Sequence, residues 1–193
     1  LVRGRTGAVG VLTQSIASPF YGEVLLGIEQ GLSGSGYHPI IASGNWRTEQ
    51  EVAAFDLLSA RRVDAMIMFA GVLADDHLRQ AARDLPLVLI GRSVTGIERQ
   101  CLRVDDLGGA EEATRYLIGL GHRQIAHIAG PSHHQDAADR RAGYARALAA
   151  VGLPLDEQLI VAGEYTEQSG LLAAQALLSR GAMFTAIFAA NDQ

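Results

Sequence analysis

The chain has no lysine, a single cysteine and few aromatic residues, and each shortage narrows its chemistry. All 16 Lys/Arg positions are arginine, which excludes Schiff-base catalysis and a phosphate-loop lysine within these residues. Cys101 has no partner for an intrachain disulfide. Its strand-like surroundings read as those of a small apolar residue rather than a nucleophile. No apolar run approaches the ~20 residues of a membrane span. LVRGRTGAVG carries arginines and no apolar stretch before a cleavage site, so it does not read as an export signal. The net charge of −5 makes this segment a poor nucleic-acid binder, because its field repels phosphate.

What is present suits a globular protein. The 193 residues, 48% hydrophobic and 19% charged, are enough for one large domain or two small ones with a real core. Continuous apolar runs at 8–14, 38–44, 63–70, 87–91, 101–106, 124–130, 159–165 and 186–192 predict strands covered on both faces. Helical patterns fill the gaps. Leu25, Ile28 and Leu32 share a face ended by Gly34 and Gly36, and Thr48 with Glu51 spells a capping box. Ala110, Ala113, Leu117 and Leu120 form a stripe ended by Gly121. Tyr144, Leu148 and Val151 form another ended by Gly152, and Thr166 is the expected N-cap of a helix over 167–180. Repeated strand–helix–strand units predict a mainly parallel, doubly wound α/β architecture. The pattern falters over 92–100, which places a change of sheet there. A linker end at 1–7, an α/β subdomain at 8–103 and the start of a second at 104–193 follow. Ligands of such sheets sit at the C-terminal ends of the strands.

VDDLGG (104–109) raises the question of a site. Its spacing matches neither a dinucleotide fingerprint nor a phosphate loop. An aspartate at a helix N-terminus is the stronger reading. Asp106 is assigned to it, the glycines to close approach of helix and sheet, and Asp105 remains a candidate cleft residue. His133 and His134, with Asp136 and Asp139, have no recognised metal spacing, so no metal site or cofactor is expected. His122 reads as a helix-end residue and His127 as core. No GxSxG elbow or Ser/His/Asp or Cys/His grouping is visible, although such groups can assemble on folding, and an enzyme is not expected. Binding features are richer. Phe20 and Tyr21 follow the first strand, Tyr165 and Asn191 end later ones, and Arg140 follows the loop after AHIAGP. Stacking faces and bidentate donors of this kind suit a polar, ring-shaped ligand.

TGAVGVL, SPFYGEVLLGIEQGLSGSGY, RVDAMIM, VDDLGGAEEATRYLIGLGHRQIAHIAGP, RRAGYARAL, GEYTEQSG and TAIFAANDQ occur in this order almost end to end. Together they resemble the effector-binding domain of the lactose-repressor/galactose-repressor family of bacterial transcription regulators. The resemblance implies a periplasmic-binding-protein type I fold, with two Rossmann-like subdomains around a cleft and the second incomplete here. It implies effector contacts at Ser15, Phe20 and Tyr21 (SPFYGEV), at His134, Asp136 and Arg140 after AGP, at Tyr165 (GEY) and at Asn191 (AND). Gly91 stands where many relatives carry a ligand-binding aspartate, and Arg92, next to it, joins the candidates. His134 and Asp136 also depart from familiar members, which leaves the ligand open between a sugar and a nucleoside-like molecule.

The expectation is therefore a cytoplasmic, homodimeric, allosteric regulator, a repressor by preference. It would sense a small polar effector, a sugar first, and bind operator DNA through a helix-turn-helix preceding Leu1. Family members continue past the AND motif, so a longer protein is implied. Two alternatives are weighed: a periplasmic solute-binding protein serving a transporter, with the same fold, and a nucleotide-dependent α/β enzyme, disfavoured by the missing phosphate loop.

Overall fold

A computed structural model describes residues 4–69, 71–132, 134–181 and 183–193. The first three residues of the expected linker, the last of the expected 63–70 strand, and His133 lie outside them. The chain divides into two compact units, Leu1–Arg103 and Val104–Gln193.

All eight apolar runs form strands. In the first unit these are β1 (Ala8–Thr13), β2 (His38–Ser43), β3 (Ala65–Phe69), β4 (Leu87–Ile90) and β5 (Cys101–Leu102). They pair in parallel in the order β2-β1-β3-β4-β5, with Val9 opposite Ala65 and Leu12 opposite Ala42 and Met68. Three helices alternate with them: α1 (Pro19–Leu32), α2 (Thr48–Ala60) and α3 (Asp75–Asp84). The core forms where Leu12, Met66, Met68 and Leu89 meet Ala54 and Leu58 of α2 and Leu78 and Ala81 of α3. Val9 and Val11 on the opposite face of β1 are buried too, as expected of a strand with both faces covered. Cys101 packs, half-buried, against this core, an apolar role as expected. No long helix occupies 92–100, only a single 3-10 turn at Glu98–Gln100.

The second unit has β6 (Ile125–Ala129), β7 (Ile160–Ala162) and β8 (Ala186–Ala189), parallel in the order β7-β6-β8. Its helices are α4 (Asp106–Gly119), α5 (Gln135–Ala150) and α6 (Glu167–Ser179). Ile118, Ile125, Tyr144 and Leu148 build one core layer, and Ala126, Leu159 and Leu177 another. The two helices α4 and α5 pack closely because Gly143 has no side chain: a Cβ there would lie 2.2 Å from the Leu107 carbonyl oxygen. Thr166 and Ser169 form a reciprocal capping box on α6, as the sequence suggested for Thr166.

Several local expectations are corrected. The run at 101–106 is a strand only over Cys101–Leu102, because its partner β4 ends at Ile90. Thr48 does not cap α2. Arg47 is the N-cap, without a side-chain bond, and Glu51 turns inward and is buried. The buried face of α4 is Ala110, Thr114 and Ile118, with Ala113 and Leu120 exposed. Close packing on α5 selects the face, and the buried polar Thr114 at its centre conceals it from apolar periodicity. Val151 is 51% exposed, outside the Tyr144–Leu148 stripe. Gly109 has open space around it and does not serve close packing.

His127 is core, as expected, but incompletely satisfied. Its ring stacks 5.0 Å from both Tyr144 and Phe188, and Nδ1 is 2.9 Å from the Phe188 carbonyl. Nε2 is buried without a hydrogen-bond partner. Desolvation lowers the His127 pKa below its ordinary 6.5, against the Phe188 bond and with help from Arg141. The unfolded chain therefore binds a proton that the folded unit rejects. Stability is fully present above about pH 6.5 and declines as pH falls below it toward the folded value. Thermal melts across this range are expected to show that slope, and a His127→Phe variant to flatten it.

Candidate functional site

The C-terminal edge of β6, β7 and β8 assembles five of the residues singled out above. His134 is the N-cap residue of α5 and is buried, Asp136 lies in the helix's first turn, and Arg140 follows one turn later. Arg140 reaches to α4. Its Nε donates to Asp106 Oδ1 at 2.8 Å, and Nη2 lies 2.7 Å from the same oxygen. Its Nη1 donates to the carbonyl of Ala190, just past β8. The Asp136 carboxylate is 3.8 Å from the guanidinium, and the Tyr165 ring centre is 5.7 Å from it. Burial works against the Arg140 charge, but the Asp106 bond and the surrounding charges prevail and hold its pKa above the ordinary value.

Tyr165 is the centre of this group. Its hydroxyl donates to Asp136 Oδ2 at 3.2 Å, and the His134 ring tilts against it with centroids 5.7 Å apart. Burial, then the Asp136 carboxylate, pushes the phenol pKa up, so it stays a neutral donor. Its backbone has φ 56°, a left-handed conformation that non-glycine residues seldom adopt. Asn191 Nδ2 donates to the Tyr165 carbonyl at 3.3 Å and supports that geometry. A pocket of about 170 Å³ opens at the same strand ends, with Ala129, Gly163, Tyr165, Thr166 and Asn191 in its wall. It is smaller than the roughly 300–1,000 Å³ of typical ligand sites. A guanidinium, a carboxylate, a phenol and an amide side by side can bind hydroxyl or anionic groups and stack on a ring.

The first unit places its candidates at its own strand ends. Ser15 is half-buried in the turn after β1. Pro19 opens α1, so Phe20 and Tyr21 stand in its first turn. Tyr21 makes edge contacts at 5.2 Å with both Phe20 and Phe69, which fixes its ring, while Phe20 is 56% exposed. Arg92, beyond β4, turns back to the 71–75 segment: Nη1 donates to the carbonyls of Gly71 at 3.1 Å and Leu73 at 2.7 Å, and Nη2 pairs with Asp75.

The two aspartates of VDDLGG exchange the roles read from the sequence. Asp105 is the helix cap, its Oδ1 accepting the Gly108 N–H at 2.9 Å. Asp106 is the partner of Arg140. The capping position falls one residue earlier because β5 stops at Leu102 and α4 begins at Asp106. Asp106, Gln14 and Glu51 are polar residues whose roles the sequence reading missed: Gln14 follows β1, and Asp106 and Glu51 lie in the first turns of α4 and α2. For Asp106 the acidic doublet was the available signal. Among the described residues, no cluster of three or more His, Cys, Asp or Glu could hold a metal ion, and no helix is long and apolar enough to cross a membrane.

Parallel α/β units with polar and aromatic side chains gathered at strand ends define a module that binds small molecules. The chain belongs to the family described as periplasmic binding proteins and sugar binding domain of LacI family, which matches residues 6–193. It is 34% identical over 193 residues to the HTH-type transcriptional regulator GalR of Escherichia coli, covering 100% of this chain and 56% of that protein. The chain thus spans little more than half the length of that relative. A sugar-binding transcriptional regulator of the LacI family from Escherichia coli, complexed with phosphate, superposes with a TM-score of 0.84 at 27% identity, over 98% of this chain and 69% of that one. The transcriptional regulator CelR in complex with cellobiose superposes with a TM-score of 0.80 at 33% identity, over 96% and 59%. The fold is the periplasmic-binding-protein-like α/β type, and the chain matches the effector-binding domain of these regulators. These relatives are named as transcriptional regulators, and the transporter alternative is not favoured.

The two aspartates are separable by mutation. Asp105→Ala is expected to cost about 1 kcal/mol, the loss of one helix cap. Asp106→Ala is expected to cost about 2 kcal/mol or more, because it strips a partly buried guanidinium of its nearest carboxylate. Urea denaturation of both variants checks the order; a larger loss at Asp105 would reverse the assignment.

Proposed function

We propose that this chain is the effector-binding part of a bacterial allosteric transcription regulator, a repressor by preference, that senses a sugar. The observation that carries the reading is the Arg140 group. A guanidinium anchored by Asp106 and the Ala190 carbonyl sits beside the Asp136 carboxylate and the Tyr165 phenol, at strand ends, in a family whose members include sugar-binding regulators. His134, Asp136, Arg140, Tyr165 and Asn191 of the second unit contact the effector in this reading, with Ser15, Phe20, Tyr21 and Arg92 contributed by the first. Asp105 drops out, since its carboxylate is committed to the helix cap. In this reading the protein is a cytoplasmic homodimer that binds operator DNA through a helix-turn-helix, since the net negative charge of this segment disfavours contact with the DNA backbone. Effector binding alters operator affinity only if one conformation of the regulator binds the sugar better than the other.

Isothermal titration of the full-length protein with a panel of mono- and disaccharides, cellobiose among them, and nucleosides tests this. One ligand is expected to bind and to change operator affinity in a gel-shift assay. Arg140→Ala is expected to weaken that ligand by about 1–3 kcal/mol, the scale of losing a charged hydrogen bond. An unchanged dissociation constant removes Arg140 from the site, and operator affinity indifferent to every bound ligand removes the regulator reading.

A further inference from the structure

The first unit holds a buried polar pair that the proposed function does not use. Gln14, one residue past β1, is 0% exposed, and Glu51, in the first turn of α2, is 1% exposed. Gln14 Oε1 accepts the Trp46 N–H at 3.0 Å. Glu51 Oε2 accepts the Val72 N–H at 2.7 Å, and the carboxylate also takes a hydrogen bond from the Leu73 backbone. The segment after β2 is thus hooked to Gln14, and the segment after β3 to Glu51. The second is gripped again by Arg92 through the Gly71 and Leu73 carbonyls.

The fit around the pair is tight. A Cβ on Gly71 would lie 2.0 Å from Glu51 Oε1 and 2.4 Å from Gln14 Nε2. Asn45 and Trp46 both have left-handed backbones, φ 51° and 57°. Such conformations persist only where surroundings over-determine them, and the Trp46–Gln14 bond is one such restraint. A buried acid is a poor means of gaining stability, since an apolar residue of similar size often does as well or better. What it offers here is fixed acceptors for main-chain N–H groups that no strand can pair.

We propose that Gln14 and Glu51 are positioning residues: touching no effector, they set the shape of the 44–47 and 71–75 segments and, through the latter, the direction of Arg92. The consequence for ligand affinity rests on the effector reading given above; the positioning itself does not.

The test uses full-length protein. Trp46 is the only tryptophan of the described unit, so its emission reports the 44–47 segment alone in variants lacking any other tryptophan of the longer protein. Glu51→Gln keeps the shape and removes the charged acceptor. Its expected signature is amide exchange at Val72 and Leu73 faster by about tenfold or more, with exchange in β1 and β3 unchanged. Gln14→Met, a milder change, should shift the Trp46 emission and leave Val72 less affected; it serves if Glu51→Gln fails to fold. Unaltered exchange at Val72 and Leu73 with unaltered emission overturns the proposal. So does acceleration spread evenly over the whole first unit, which marks plain destabilisation. With cellobiose, or another panel sugar that wild type binds, affinity should fall about tenfold in Glu51→Gln. Equal affinity despite loosened segments overturns the link to Arg92. A wild type that binds no sugar defeats the effector reading instead, while the exchange result still decides the positioning.

Discussion

Every strand pair among the described residues is parallel, and that constraint shapes the chemistry of both units. Parallel strands end together, so the backbone groups released at their C-terminal ends accumulate on one edge with no further strand to pair them. Helices begin there as well, bringing unpaired N–H groups of their own. A chain that buries such an edge must supply acceptors and donors from side chains. The first unit does so with Gln14, Glu51 and Arg92. The second does so with Asp105 at a helix N-terminus and with Arg140 at the Ala190 carbonyl.

Arginine suits these positions for a geometric reason. Arg140 places Nε and Nη2 on one carboxylate oxygen and Nη1 on a carbonyl from another element. Arg92 likewise spans two carbonyls and a carboxylate. A planar fork with five N–H groups can bridge such points while the guanidinium keeps its charge, and the point charge of a lysine cannot. An all-arginine chain is thus well equipped to tie strand-end segments together.

Fold class and strand content were legible because continuous apolar runs of four to eight residues between helical patterns leave few alternatives. Each of the eight runs forms a strand, yet every strand is shorter than its apolar stretch. Strand length is set by the partner: β5 is cut to two residues by the end of β4. Helix starts were less legible, and the errors share one cause. Thr48-x-x-Glu51 has the spacing of a capping box, but a tertiary demand, the Val72 and Leu73 N–H groups, draws Glu51 inward. In VDDLGG a one-residue change in where the helix begins swaps cap and ion-pair partner. On α4 the buried face has the polar Thr114 at its centre, and close contact with α5 at Gly143 and packing of Ile118 in the core select it. The Arg140 group gathers residues up to 85 positions apart, from Asp106 to Asn191, in spacing no motif describes; Tyr165 and Asn191 were found as strand-end residues, and Asp106 was mistaken for a cap.

The two edges solve the same problem to different degrees of closure, and this bears on function. In the first unit the polar pair is sealed beneath its segments, and the carboxylate's burial raises its pKa above the usual range despite several hydrogen bonds. Such a pair, sealed and tied to the Trp46 and Val72 N–H groups, favours a single geometry. In the second unit Arg140, Asp136 and Tyr165 are only partly buried, and the 3.8 Å separation of Arg140 from Asp136 is an ion pair without a hydrogen bond. A hydroxyl arriving there could accept from the guanidinium and donate to the carboxylate with little rearrangement of the Asp106 anchor. Pre-organisation of this kind limits the ordering cost of binding. In the proposed reading, therefore, the partly solvated Arg140 edge is the one that meets the ligand, and the sealed Glu51 edge is the one that holds backbone shape.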